Sequence, residues 1–255
     1  MRFHFRLART AIVPLGLALL ASYAAAQTTP VHVIVSNGMR EVVLELKPQC
    51  ERAIGHPLEL EFGTTTGLKQ KIDGGEPFDV AILTSEAVED LVKSGKAAGS
   101  PARLARSGIG VGVHAGAPKP DIGTPDALKH TLLNAKFIAY AGDGASRVFI
   151  DRMIEKMGIA AEMKPKTMLT QGSVAAGEKV ASSDGGLVLT LVSEILPMHG
   201  VTLAGAFPAE LQNYVSFSAA AGAHAKNPES GNKLIAFLTG PGAAPVYKAK
   251  GMEPR

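Results

Sequence analysis

The chain has 255 residues, 46% of them hydrophobic, with 26 basic and 23 acidic side chains. The basic surplus, Arg2, Arg6 and Arg9, lies in the first 26 residues; the balanced remainder offers no field for nucleic acid or an anionic membrane. The lone cysteine, Cys50, excludes an internal disulfide and a cysteine-based metal cluster.

Residues 1–26 read as an export signal. A basic start precedes an apolar run from Ala11 to Leu20, and Ala24-Ala25-Ala26 supplies small residues for cleavage before Gln27. The run is shorter than the ~20 residues of a membrane span. A periplasmic location is therefore expected for the mature chain.

Strand Val31–Val35 leads to a helix over Met39–Ile54, in which Met39, Val43, Leu46, Cys50 and Ile54 share one buried stripe. Cys50 is thus expected in the core, and Pro48, on another face, is expected to kink or loosen the helix. Strand Leu58–Phe62, a short helix Gly67–Asp73, strand Phe78–Leu83 and helix Glu86–Ser94 follow, then strand Gly108–Val113 and a Gly/Pro-rich loop from Gly116 to Pro125. A second alternating run has strand Phe137–Tyr140, a Gly-rich turn from Ala141 to Ser146, and helix Arg147–Met157 stopped by Gly158. Helix Val174–Ala181, strand Leu187–Val192, short helix Ser193–Met198 and strand Tyr214–Ser218 precede the closing helices Pro228–Leu238 and Gly242–Lys250. Such alternation predicts an α/β fold with a mainly parallel sheet covered by helices.

Ser36-Asn37-Gly38 and Thr64-Thr65-Thr66-Gly67 each stand where a strand ends and a helix begins. Helix starts expose N–H groups without intrahelical partners and carry partial positive charge, so a pair of them favours an anion. The alternative role of Ser36 and Thr65 is simple capping.

With these motifs in view, the chain resembles the periplasmic molybdate-binding proteins of ABC transporters. The resemblance rests on Phe62-Gly63-Thr64-Thr65-Thr66-Gly67-Leu68 with Gly74-Gly75-Glu76-Pro77-Phe78-Asp79-Val80 behind it, and on the tail from Ala236 to Ala244. It implies a two-lobed type II periplasmic binding fold with the ligand cleft between lobes joined by hinge strands. Lobe 1 would comprise residues 27–106 plus 212–255, and lobe 2 residues 107–211. It also implies a monomer delivering a small anion to an ABC permease, with molybdate or tungstate as the default ligand.

Carried over position by position, the family's first serine falls at Gly38, or at Ser36 or Asn37 if the alignment slips. The second falls at Thr65, beside Thr64. The second lobe would contribute Ala145, Ser146 and Arg147, then Ser173 and Val174. The family's tyrosine falls at Leu191, which has no hydroxyl. Losing these donors while gaining Arg147 suits a small organic carboxylate as the alternative ligand. Arg147 alternatively pairs with Asp151 four residues on.

Other chemistry finds little support. The histidines, from His32 to His224, show no metal-ligand spacing, so no metal cation or cofactor is expected. Gly142-Asp143-Gly144-Ala145-Ser146 lacks the Gly-Lys-Ser/Thr ending of a phosphate loop. Ser146 has no evident base, and the chain is expected not to be an enzyme. A ligand-binding subunit of a membrane sensor is the alternative role.

Overall fold

The computed structural model describes residues 29–255; the expected export signal lies outside them. The chain order is β1 (Val31–Ser36), α1 (Arg40–Ile54), β2 (Leu58–Gly63), α2 (Thr65–Asp73), β3 (Val80–Thr84), α3 (Ser85–Lys93) and β4 (Ala97–His114). Then come α4 (Pro125–Asn134), β5 (Phe137–Ala141), α5 (Arg147–Lys156), α6 (Ala160–Met163), β6 (Thr167–Thr170), α7 (Gly172–Ala181) and β7 (Gly186–Leu191). The remainder is α8 (Val192–Ile195), β8 (Val201–Ala206), β9 (Tyr214–Gly222), α9 (Pro228–Thr239), α10 (Ala244–Ala249) and β10 (Glu253–Pro254).

The strands run in the order β2-β1-β3-β9-β4-β7-β5-β6, with β8 and β10 also on β4. The expectation of a mainly parallel sheet needs correction. β1, β2 and β3 are parallel, as are β5, β6 and β7, but β4 is antiparallel to β7, β8, β9 and β10. The result is a mixed α/β sheet in two lobes. β4 serves both, pairing with β9 as far as Gly108 and with β7 from Ile109 onward. The Gln212 side chain clamps this crossing: it accepts from Ile109 N–H at 2.8 Å and donates to Ile109 C=O at 3.0 Å.

Parallel pairing explains where ligand chemistry collects. Ser36 is in register with Gly63, so β1 and β2 end side by side and their following helices start at one edge. The core follows the apolar pattern of the sequence. Cys50 is buried with Val43, Leu46 and Ile54, and burial pushes its thiol up to about 12, leaving it unreactive. α1 runs through Pro48 to Gly55, which takes a left-handed φ of 75°. Asp79, between β3 and α9, accepts from the N–H of His32 at 2.9 Å and of Asn227 at 2.8 Å. That carboxylate ties the return of the chain to the first lobe.

Candidate ligand cleft

Four segments converge between the lobes: the short 3-10 turn Asn37–Met39 ahead of α1, the start of α2, the turn before α5, and the start of α7. The cap of α2 is Thr64 and not Thr65. Thr64 Oγ1 accepts from Gly67 N–H at 3.2 Å, and the helix begins at Thr65 rather than near Gly67. This frees Thr65 for another task. Its buried Oγ1 donates to Ser36 Oγ at 3.0 Å and accepts from Thr84 N–H at 3.4 Å. The two hydroxyls thus form one buried pair beside N–H groups that α2 cannot satisfy internally.

The inner chamber, about 20 Å³, is lined by Ser36, Asn37, Gly38, Thr64 and Thr65 from the first lobe. Ala141, Gly144, Ala145, Ser173, Leu191 and Glu194 line it from the second. Gly38 is there for want of space. A Cβ at this position would lie 2.5 Å from the Phe217 ring and 2.9 Å from Leu191 Cδ1. The side-chain donor that a serine would offer at Gly38 is therefore excluded, and Gly38 contributes backbone alone.

The remaining expected residues divide. Ser36, Asn37, Gly38, Thr64, Thr65, Ala145, Ser173 and Leu191 are brought together in the inner chamber. Ser146 is buried next to Ala145 but does not line the chamber. Val174 is 61% exposed and lines an outer chamber. Arg147 is held elsewhere: its Nε donates to Asp151 at 3.3 Å and its Nη1 to Gly142 C=O. The helix pair with Asp151 is the arrangement it adopts.

Sequence reading missed two residues of the cleft, Glu194 and Arg40. Glu194 lies on α8 and lines both chambers, which share it with Asn37 and Ser173. Surrounding protein pushes its carboxyl up from the usual range, and hydrogen bonds with Thr190, Ser173 and Leu191 offset this only in part. An acid just past the apolar strand β7 was the available signal. Arg40 lines the outer chamber, whose volume is about 210 Å³. Among the described residues, no group of three or more His, Cys, Asp or Glu side chains could hold a metal ion.

Two lobes, a cleft between them, and helix starts with paired hydroxyls at its base define a solute-binding protein. Comparison with known proteins agrees: a family model described as bacterial extracellular solute-binding protein matches residues 31–253. The chain belongs to that family. It is 30% identical to the aconitate isomerase of Pseudomonas sp, an alignment covering 96% of this chain and 97% of that one. It is 26% identical to the molybdate-binding protein ModA of Azotobacter vinelandii, over 94% and 95% of the respective chains. The solved Azotobacter vinelandii periplasmic molybdate-binding protein superposes with a TM-score of 0.74 at 18% identity, covering 87% of this chain and 98% of that one. The resemblance to molybdate-binding proteins read from the sequence therefore holds.

Proposed function

We propose that the chain captures a small organic anion by a carboxylate end, for delivery to an ABC permease. In this reading the signal is removed, the mature monomer works in the periplasm, and residues 107–211 close on residues 27–106 plus 212–255. The hinges lie near Ser107 and Gln212. One observation carries the ligand class: a small polar chamber adjoins a much larger one, with Asn37, Ser173 and Glu194 as common wall. That shape suits a ligand with an anionic end and a longer body. A compact tetrahedral oxyanion such as molybdate, the family default, would leave the outer chamber unused, and Leu191 and Gly38 give it no hydroxyl. The carboxylate oxygens would meet the Ser36–Thr65 pair and the open N–H groups at the starts of α2 and α7.

A thermal-shift and calorimetry screen of the mature chain tests this. Carboxylates are expected to raise the melting temperature, since a ligand at a hundredfold excess over its dissociation constant adds ~2.7 kcal/mol. Molybdate binding more tightly than every carboxylate tried would overturn the reading.

Glu194 supports a second reading, in which a bound unsaturated acid is isomerised. In its ionised form the Glu194 carboxylate, beside anion donors, can take a proton from one allylic carbon and return it to the other, with the double bond shifting between them. No oxidant or cofactor is needed for that exchange. The relative named aconitate isomerase makes aconitate the first substrate to try. Proton NMR in deuterated buffer would detect both isomer conversion and solvent exchange. Binding without either would leave the chain a binding protein.

A further inference from the structure

We propose that Arg40 is a second anion anchor, so that the ligand is a polycarboxylate bridging the two chambers. This rests on the carboxylate reading above and adds to it the number and spacing of charges. Arg40 opens α1, directly after the turn that lines the inner chamber, and it lines the outer one. Its guanidinium carbon sits 4.1 Å from the centre of the Phe62 ring. One nitrogen, Nη2, donates to Asn37 Oδ1 at 3.2 Å. The stack on Phe62 and the Asn37 bond hold the planar fork in place, and its remaining N–H groups stay available.

Among the described residues no carboxylate forms an ion pair with Arg40. Other lysine and arginine side chains illustrate the contrast, among them Lys47 paired with Glu51, Arg147 with Asp151 and Lys250 with Glu45. A cation held in a cleft without a carboxylate counter-ion supplies what a bound carboxylate requires. A guanidinium takes a carboxylate bidentately, and its stack on an aromatic ring reduces the side-chain freedom lost on binding.

The surrounding charges set the geometry. Glu41, Glu178 and Glu194 also line the outer chamber, together with His199. Arg40 is the one lysine or arginine among the residues lining that chamber, so beside those acids it is where an anion would be drawn. A monocarboxylate would fill only the inner chamber. A di- or tricarboxylate would seat one end on the Ser36–Thr65 pair and another on Arg40, with Glu194 between them offering a proton to the ligand.

Calorimetry of the full mature chain with acetate, succinate, propane-1,2,3-tricarboxylate and molybdate tests this, on the parent and on Arg40→Gln and Arg40→Lys. The parent is expected to prefer the tricarboxylate over acetate by at least 100-fold. Arg40→Gln is expected to lose 10- to 100-fold on the tricarboxylate and to leave acetate unchanged. Arg40→Lys keeps the charge without the fork, so an intermediate loss is expected, and it stands in for the Gln variant if that does not fold. Equal tricarboxylate affinity in the parent and either folded variant would overturn the anchor. Acetate binding as tightly as the tricarboxylate would overturn it while leaving carboxylate capture intact. Binding of molybdate alone, or of none of the four, would remove both readings together.

Discussion

Thr64 and Asp143 join the two lobes across the cleft, with Thr64 Oγ1 donating to Asp143 Oδ2 at 2.8 Å. The same oxygen accepts from Gly67 N–H, so one hydroxyl caps α2 and bridges the cleft. Deeper in, Ser193 Oγ donates to Gly38 C=O at 3.0 Å, a second bond between lobes. The backbone N–H of Ser193 donates to Ser107 Oγ on β4, at the crossing itself. These bonds oppose opening from the mouth and from the base of the cleft.

Removing both should therefore shift the chain toward an open form. Each hydrogen bond is worth about 1 kcal/mol net, so Asp143→Ala with Ser193→Ala should change the open population roughly tenfold or more. Small-angle scattering of the unliganded variant should show a larger radius of gyration than the parent, with the difference narrowing on ligand addition. An identical radius in both proteins would mean that lobe packing alone sets closure.

Thr65→Val should weaken both stability and ligand binding. The valine keeps the shape but leaves Ser36 Oγ, buried in the first lobe, without its donor. A buried polar group left unpaired costs about 1–3 kcal/mol. Ser36→Ala combined with Thr65→Val should cost less than the sum of the single changes, because both partners are then gone. Strict additivity in that cycle, measured by urea denaturation, would contradict the coupling.

Much of the fold could be read from period and punctuation. β1, α1, β2, β3, β5, α5 and β7 lie within a few residues of their expected limits, since each has a clear apolar face. The first half of β4 escaped because Ala98, Gly99 and Ser100 are exposed and Pro101 follows them; the ladder with β9 breaks after Ala98 and resumes at Ala102. β8 is half-buried from Val201 to Gly205, exposed at Ala206, and carries no alternation. α4 announced itself through Thr124-Pro125, whose threonine accepts from Ala127 N–H at 3.1 Å, but the Gly/Pro-rich run ahead of it masked that signal. Strand direction was out of reach, being set by contacts between distant segments. The cleft was legible where a strand-to-helix turn announces itself, at Ser36, Thr65 and Ala145. Gly38 was expected there too, but the reason it carries no side chain, the closeness of Phe217 and Leu191, was not legible. Nor did Arg40 and Glu194 betray that they share a wall.

Asp79 should govern the acid stability of the first lobe. Burial pushes its carboxyl up, but the N–H groups of Asn227 and His32 and the Asn227 amide outweigh that and hold it below the usual carboxylate range. A depressed folded value means stability present above the ordinary range and lost as pH falls through the folded one. Asp79→Ala should cost about 3 kcal/mol near neutral pH, from hydrogen bonds to a charged group. It should also flatten the fall in melting temperature at acid pH. A variant that still loses stability in acid as steeply as the parent would place that sensitivity elsewhere.

Glu194 should make ligand affinity fall as pH rises. Its carboxyl is pushed up by burial, so the folded chain keeps a proton that the unfolded chain has already released. For such a group, stability is lost as pH climbs from the ordinary glutamate range through the raised folded value. The same ionisation places a negative charge in the wall shared by both chambers, against the bound anion. Protonated, Glu194 donates a hydrogen bond to the ligand instead, so affinity and stability decline together. Glu194→Gln keeps the size and the donor but cannot ionise. It should bind carboxylates at high pH more tightly than the parent and should lose most of the pH dependence of both affinity and melting temperature. It should also abolish any isomerisation, because an amide cannot carry the proton between carbons. Calorimetry across pH 5–9 on parent and variant separates these cases. An affinity profile unchanged by the substitution would sink the assignment of the pH dependence to Glu194.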